Sequence, residues 1–321
     1  MSEPAVDILE NTLRRHSDLL NILLTDRTRT TTKKIHHILW ATDSYADHKP
    51  TDEIEIKDIT GKNTYLIQPR ITKSKEEQKY RTRDKAEVFT PTDIVSEMNK
   101  QIDSCSENWP ATKDNWQEYI KENRLEITCG EAPFIANRYN AANGRKVRNV
   151  NNRVGFLDRK LQIVSSYCNN KKSWLEWAII AYQCSYGYEW QGDNLLLARE
   201  NLLYTFIDYW NDKFPSDKIN LERKVSDRKL QILKDIATII SWNIFQMDGL
   251  KYVIPMSCKS EIATQDIPPM LSLLGEKPDK KAQKKQCPGC AKANPHLHNG
   301  KYVKIMDWQT RKPIKFINLL S

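Results

Sequence analysis

The sequence predicts an α/β fold in which a mostly parallel β-sheet carries helices on both faces and binds a ligand at the carboxyl ends of its strands. Two observations predict this fold. Between residues 125 and 254, short apolar segments of strand length alternate with longer segments of helical periodicity. Acidic residues and glycines follow the strand-like segments, at the position where doubly wound sheets bind nucleotide-like ligands.

The chain is long enough for one large domain or two modest ones, since it has 321 residues. We expect three regions. Residues 1–80 are predicted to form an N-terminal accessory region of mixed α and β structure, and residues 81–260 the central α/β domain. Residues 261–321 are predicted to form a small C-terminal segment of different composition.

The N-terminal region contains one clear helical pattern. Apolar residues spaced three and four apart predict an amphipathic helix over residues 5–24. Residues 35–45 and 54–71 are predicted to form short strands or turns, with the Gly-Lys-Asn sequence at 61–63 as a hairpin tip.

The central and C-terminal regions are predicted from their periodicity and from the breaks between apolar segments. A lysine-rich run at residues 276–286 has no apolar side chain except one proline and one alanine, and is predicted to be a solvated loop. The other predicted elements are strands at 125–128 and 185–190, helices at 174–182 and 195–210, a strand-like segment that ends at residue 248, and a final strand pair at 302–306 and 313–320.

Composition and charge limit the classes of function. The net charge is +9, an excess that favours polyanionic partners such as DNA. The charged segment 72–85 is therefore either a solvated helix or linker, or a contact for the DNA backbone. No apolar run approaches the roughly 20 residues that span a bilayer, and the polar N-terminus does not resemble a signal peptide. Seven scattered cysteines predict reduced thiols, so we expect a cytoplasmic protein.

A first candidate motif follows the strand predicted at residues 125–128. Glu126 ends an apolar segment, and the small residues Thr128, Cys129, Gly130 and Ala132 lead toward a helix. A glycine turn at the end of a first strand lets the backbone approach a nucleotide, and an acid there can hold an ammonium group. The alternative is an ordinary strand–helix turn with no ligand.

Two further acidic positions follow later strands. Glu189 could accept hydrogen bonds from ribose hydroxyls, and Trp190 offers a flat apolar face for an adenine ring. The alternative is a buried tryptophan beside a helix-capping Asp193. Asp248, followed by Gly249, could accept a hydrogen bond from an exocyclic amine, although this pattern alone is common.

A fourth motif lies near the start of the central domain. The segment Phe89-Thr90-Pro91 comes before the predicted helix at residues 94–98. Threonine as the N-cap and proline in the first turn are a normal helix start, so the motif taken alone needs no functional explanation.

These four motifs, in their order along the chain from Phe89 to Asp248, resemble the gamma-type N6-adenine DNA methyltransferases of bacterial restriction–modification systems. Phe89-Thr90-Pro91 is similar to the family's E-x-F/Y-T-P motif, and residues 126–134 to its D/E-P-A-C-G-x-G-x-F motif, with Ile127 in place of proline. Glu189 matches the acid of Y-G-x-E, and the DNLLLARENL sequence at 193–202 matches the helix that follows it. The resemblance covers about residues 81–255.

The resemblance implies a Rossmann-like fold that binds S-adenosylmethionine. In that family, the residues that correspond to Glu126, Glu189 and Asp248 hold the methionine amine, the ribose and the adenine amine, and Trp190 would face the adenine. The other residues that the resemblance places at the cofactor are Phe89, Thr90, Pro91, Thr128, Cys129, Gly130, Ala132, Phe134 and Gly249.

The family's catalytic N/D-P-P-Y/F motif has no counterpart in the 321 residues. Residues 266–270 contain two prolines, but Ile267 and Met270 stand where the family has its amide and its aromatic ring. The resemblance therefore implies the cofactor-binding subunit of a split bacterial enzyme. A second subunit would supply the catalytic motif and target recognition, and a restriction nuclease could accompany them. The alternative is an inactive cofactor-binding or DNA-binding subunit of a phage-defence complex.

A separate motif lies in the C-terminal segment. Cys287-Pro-Gly-Cys290 has the spacing of a zinc knuckle, in which both thiolates face one ion. His296 and His298 would complete a tetrahedral set of ligands. The alternative is a reduced, solvent-exposed cysteine pair without a metal.

Overall fold

The computed structural model describes residues 12–85, 90–140, 143–263 and 283–320, and these form a mixed α/β fold. The helices are α1 Ser17–Leu24, α2 Lys75–Lys85, α3 Thr92–Ser104, α4 Trp116–Lys121, α5 Phe156–Tyr167, α6 Lys171–Gln183, α7 Gly192–Lys213, α8 Asp227–Asn243 and α9 Pro288–Lys292. The strands are β1 Arg124–Glu126, β2 Ser185–Glu189, β3 Ile244–Gln246, β4 Glu261–Ala263, β5 Gln283–Lys285, β6 Lys304–Asp307 and β7 Lys312–Lys315.

The central sheet has three strands in the order β1-β2-β3, and both pairs are parallel, as predicted. Helices α5 and α6 connect β1 to β2, and α7 and α8 connect β2 to β3. Parallel neighbours need such crossovers, which bring the carboxyl ends of all strands to one edge. Glu126, Glu189 and Gln246 therefore end the three strands at the same edge of the sheet.

Helix α7 is the central helix of the fold, since 18 of its 22 residues are buried. Its buried Arg199 donates hydrogen bonds to the carbonyl oxygens of Leu23, Thr25, Ser241 and Ile244. A buried guanidinium group needs such acceptors because it has lost its water. Arg199 thereby joins the N-terminal segment, α8 and β3 to one point of α7.

The N-terminal residues belong to the same hydrophobic core as the central helices. Leu20 and Ile54 are buried in this core, and Arg14 forms a buried ion pair with Glu200 of α7, with Nε 3.0 Å from Oε1. The hairpin tip predicted at residues 61–63 is wrong, because these residues form a 3₁₀ turn. Of the helix predicted over 5–24, residues 5–11 lie outside the described part. The domain boundaries at 80 and 260 stay a prediction.

A second, smaller core lies on the other side of the sheet. Among the described residues, no α-helix contributes to it, so the predicted helical layer on both faces is wrong there. The final antiparallel strand pair, β6 and β7, covers this side instead, together with loop residues. The buried members of this core are Leu39, Ala41, Tyr188, Phe245, Met247, Ile254, Val303, Ile305 and Phe316.

No helix in the described ranges is long and apolar enough to cross a membrane.

Candidate functional site

The carboxyl ends of β1 and β2 bring two buried acids together. Glu126 accepts hydrogen bonds from the backbone N–H groups of Phe134 and Ile135, at 3.3 and 3.1 Å. Glu189 accepts one from the backbone N–H of Gly130 through Oε2, at 2.8 Å, and two more through Oε1. Both side chains are less than a tenth exposed.

Burial raises the pKa of both carboxyl groups. The pKa of Glu126 lies well above its usual range because burial, and then the nearby charge of Glu189, outweigh the two backbone hydrogen bonds. Burial also raises the pKa of Glu189 to about 6, against the three backbone donors that lower it. A cation placed between the two groups would stabilise their charged forms.

The turn after β1 has an unusual backbone. Thr128, Gly130 and Ala132 all have positive φ angles, of 49°, 53° and 62°. Two of these residues are not glycine, and such conformations store strain that is common at ligand-binding turns. A Cβ added at Gly130 would meet nothing within 4 Å, so there is open space beside this residue.

Helix α7 holds this turn in place. Asn201 donates hydrogen bonds from Nδ2 to the carbonyl oxygens of Glu131 and Ala136, each at 3.2 Å. The buried Cys129 continues the contact with β2, because its backbone N–H donates to the carbonyl oxygen of Tyr188 at 2.8 Å. The D-N-x-x-x-A-R-x-N-L sequence thus provides contacts that fix the turn and the strand ends.

Trp190 is partly buried, and its Nε1–H donates to the carbonyl oxygen of Ala41 at 3.0 Å. Next to it, the Gln246 side chain exchanges two hydrogen bonds with the backbone of Leu39, each at 2.8 Å. The segment around residues 39–41 therefore lies over the carboxyl ends of β2 and β3.

Asp248 comes two residues after β3 and is buried. Its Oδ1 accepts hydrogen bonds from the backbone N–H groups of Leu250 and Lys251, and its Oδ2 lies 3.2 Å from Lys251 Nζ. Gly249 packs against Tyr188, because a Cβ at this position would lie 2.8 Å from the tyrosine ring. The small size of Gly249 thus serves packing.

The Phe89-Thr90-Pro91 motif is described only in part, because Phe89 lies outside the described residues. Thr90 is half-buried, and Pro91 is the N-cap of α3, so the predicted threonine cap is wrong by one residue. Helix α3 contacts the same turn, since Asn99 donates from Nδ2 to the carbonyl oxygen of Phe134 at 3.1 Å.

Sequence reasoning did not identify Arg81, which is fully buried in α2 and aimed at the start of α7. One of its Nη atoms lies 2.9 Å from Asp193 Oδ2 and 3.1 Å from Gln191 Oε1. Tyr45 also donates to Asp193, at 2.9 Å. Although burial opposes it, Arg81 and Lys73 lower the pKa of Asp193. Asp193 thus anchors α2 beside the strand ends.

Three cysteines and one histidine form a cluster in the C-terminal part. The ligand atoms of Cys258, Cys287, Cys290 and His298 all lie within 4.8 Å of one another. Cys287 and His298 are buried, and the other two are half-buried. This donor set could hold a metal ion such as zinc. The two cysteines of the knuckle and His298 agree with the sequence prediction.

His296, however, does not belong to this cluster. It is exposed in a 3₁₀ turn, whereas His298 packs so closely on Gly289 that a Cβ there would lie 2.6 Å from the imidazole ring. Cys258, which is 29 positions before Cys287, is the fourth member instead. No local spacing marks it, and only its place after the β3 loop brings it to the knuckle.

The distances within the cluster fit a tetrahedral ion. His298 Nδ1 lies 3.5, 3.6 and 3.6 Å from the Sγ atoms of Cys258, Cys287 and Cys290. One ring nitrogen cannot form three hydrogen bonds at once. Bond lengths of about 2.3 Å to sulfur and 2.1 Å to nitrogen around a tetrahedral zinc ion give about 3.6 Å between these atoms.

The Cys287 thiol favours its thiolate form. Burial raises the pKa of Cys287, but backbone N–H groups of Asn299, Cys290 and Gly289, together with His298, lower it to about 6. A thiolate is the form that binds a metal. Cys258 differs, since burial and the two neighbouring thiols raise its pKa to about 12.

No family model, curated protein or solved structure matches the chain.

Proposed function

We propose that the chain is the S-adenosylmethionine-binding subunit of a DNA adenine-N6 methyltransferase, active together with a partner that supplies the catalytic N/D-P-P-Y/F motif. The observation that carries this proposal is the arrangement at the strand ends. Glu126 and Glu189 end neighbouring parallel strands, and the strained turn at residues 128–132 lies between them. This is the place where doubly wound sheets bind nucleotides.

The chemistry of the site suits a cationic nucleoside. S-adenosylmethionine carries an ammonium and a sulfonium group, and it supplies the methyl group when bound. Glu126 would pair with the ammonium group, which offsets the burial of this carboxylate. Glu189 Oε2 accepts one hydrogen bond from the protein, which leaves it able to accept another from a ribose hydroxyl. The open space beside Gly130 allows the ligand to approach the backbone.

The adenine end of the proposed site is less open. Asp248 Oδ1 accepts hydrogen bonds from two backbone N–H groups, and Oδ2 forms an ion pair with Lys251. An adenine amine could share Oδ2, since a carboxylate oxygen accepts two hydrogen bonds. Trp190 would have one ring face at the ligand while its N–H stays bound to Ala41.

We also propose that the metal is zinc with a structural role. All four ligands come from the protein, which leaves no position for a substrate, and such closed Cys₃His sites stabilise folds. The cluster joins the loop after β3 to the C-terminal segment. It would therefore hold the segment that follows Asp248.

The second candidate function is a subunit that binds the cofactor or DNA without catalysing transfer. The sequence observation that favours it is the absence of an amide and an aromatic ring at Ile267 and Met270. These two residues lie outside the described part of the structure.

The experiment that separates the two functions measures transfer of a radiolabelled methyl group to bacterial DNA. The chain is assayed alone, with the product of the neighbouring gene, and with that product plus Glu189→Gln in this chain. We expect transfer only with the wild-type pair. If the wild-type pair transfers no methyl group although this chain still binds the cofactor, the result would support the second candidate function, a subunit that does not catalyse transfer. Full transfer by the isolated chain would disprove the need for a partner.

A further inference from the structure

Two cavities lie at the end of α7 that is far from the candidate cofactor site. One has a volume of about 620 Å³ and the other about 450 Å³. Asp208, Asn211 and Lys218 line both, so the cavities form one continuous depression. We call this depression the basic cleft, and it consists of the residues that line these two cavities.

Basic side chains outnumber acidic ones in both cavities of the basic cleft. The smaller cavity is lined by Lys146, Arg148, Arg153 and Lys218, against Asp208 and Asp212. The larger cavity adds one more acid, Glu222, and three more basic side chains, which are Arg223, Lys224 and Lys229.

The acid at the centre of the cleft is already neutralised. Asp208 Oδ2 lies 3.0 Å from Arg138 Nε and 2.6 Å from an Nη atom of Arg153. Arg153 is 3% exposed and also donates from Nε to the carbonyl oxygen of Val147. Its Nη1 has no hydrogen-bond partner within the protein, although buried donors are nearly always paired. The wall of the cleft therefore contains a cationic donor without an acceptor.

The opposite wall is held by the protein itself. Asn211 exchanges two hydrogen bonds with the backbone of Ile219, at 2.9 and 2.6 Å. Lys229 donates to the carbonyl oxygen of Lys218 at 2.9 Å and forms an ion pair with Asp217 at 2.6 Å. These contacts order the loop between α7 and α8, while the side chains of Lys218, Arg223 and Lys224 in this loop stay exposed.

We infer that the basic cleft binds the phosphate backbone of double-stranded DNA. Its basic side chains are spread along both cavities rather than gathered at one point, which suits a row of phosphates better than a single anion. The choice of DNA over other polyanions depends on the proposed function. Backbone contacts of this kind position a duplex without reading its sequence.

The position of the cleft defines what it can do. Asp208 lies about 24 Å along the α7 axis from Gly192, at a rise of 1.5 Å per residue. That distance corresponds to about seven base pairs of duplex. The cleft would therefore contact the duplex at a distance from the candidate cofactor site.

The test is the binding of a fluorescein-labelled duplex of about two helical turns to the full chain, followed by anisotropy at several salt concentrations. One variant combines Lys218→Gln, Arg223→Gln and Lys224→Gln. The matched control removes the same charge from exposed lysines elsewhere, with Lys100→Gln, Lys172→Gln and Lys312→Gln.

We expect the cleft variant to bind the duplex at least about tenfold more weakly and to lower the slope of log Kd against log salt by about three. The control should stay within about twofold of the wild type. Equal losses in both variants, or no binding by the wild type, would overturn the inference. A larger loss for RNA of the same length than for DNA would overturn the assignment to DNA.

Calorimetry with S-adenosylmethionine separates this inference from the proposed function. The cleft variant should bind the cofactor like the wild type, since its substitutions lie far from the strand ends. A wild type that binds DNA through the cleft but binds no S-adenosylmethionine would disprove the proposed cofactor while leaving the DNA cleft intact.

Discussion

Removing the Cys258 thiol tests the metal site most directly, because the local sequence motif does not include this residue. We expect Cys258→Ser to lose most of its affinity for zinc, whereas His296→Asn keeps it. The distances give the reason. Nδ1 of His298 is as far from the sulfur of Cys258 as from those of Cys287 and Cys290, at 3.5 Å against 3.6 Å. A tetrahedral ion would then bind all four ligands equally.

The size of the effect follows from this equality. Structural zinc sites contribute about 10–16 kcal/mol, so one ligand of four accounts for about 2.5–4 kcal/mol. That loss corresponds to a decrease in affinity of about a hundredfold to a thousandfold. A serine hydroxyl does not replace the thiolate, because zinc prefers sulfur and nitrogen donors in such sites.

The assay is a competition for zinc with a chromophoric chelator, on protein purified without chelating agents. Elemental analysis should find about one zinc ion per chain in the wild type and in His296→Asn. Weakened zinc binding in His296→Asn together with unchanged binding in Cys258→Ser would refute the assignment of the fourth ligand. The site would be refuted altogether by a wild type that contains no metal and whose three cluster cysteines all react freely with a thiol reagent.

Three more results are expected. Glu189→Gln should weaken S-adenosylmethionine binding by about 1–3 kcal/mol in calorimetry, with the exposed Glu107→Gln as an unaffected control. Because the pKa of Glu189 is raised to about 6, cofactor affinity should fall as the pH drops below about 6, and a pH series in which Glu189→Gln shows the same fall would contradict this role. Arg81→Met should lower the free energy of unfolding by up to about 3–5 kcal/mol in urea at neutral pH, because the buried Asp193 then keeps only Lys73, at 3.7 Å, as a cation. Arg81 lowers the folded-state pKa of Asp193, so its stabilising effect is present above about pH 4 and disappears as the carboxylate is protonated. A loss that does not shrink in acid would contradict this explanation.

The sheet and its acids could be predicted from the sequence because their signals are local. Alternating apolar segments mark strands and helices, and the acids that follow them mark strand ends. The exact bounds moved by a few residues, as for β1, where the predicted 125–128 became Arg124–Glu126. The positive φ angles then begin at Thr128, where the pattern had still suggested strand.

The rest depends on contacts between distant parts of the chain. Arg81 belongs to a run of charged residues that resembles a solvated helix, and only Asp193, 112 positions later, explains its burial. His296 and His298 are equivalent by spacing, and the difference between them is set by the packing of His298 on Gly289. Likewise, no local pattern shows that β6 and β7 return to cover the second face of the sheet.

The antiparallel pair β4–β5 and the Cys₃His cluster join the part of the chain before residue 264 to the part after residue 282. Residues from both parts also build the second core, on the sheet face that β6 and β7 cover. The fragments 1–263 and 283–321 should therefore stay associated, and copurify, when they are produced as two separate chains.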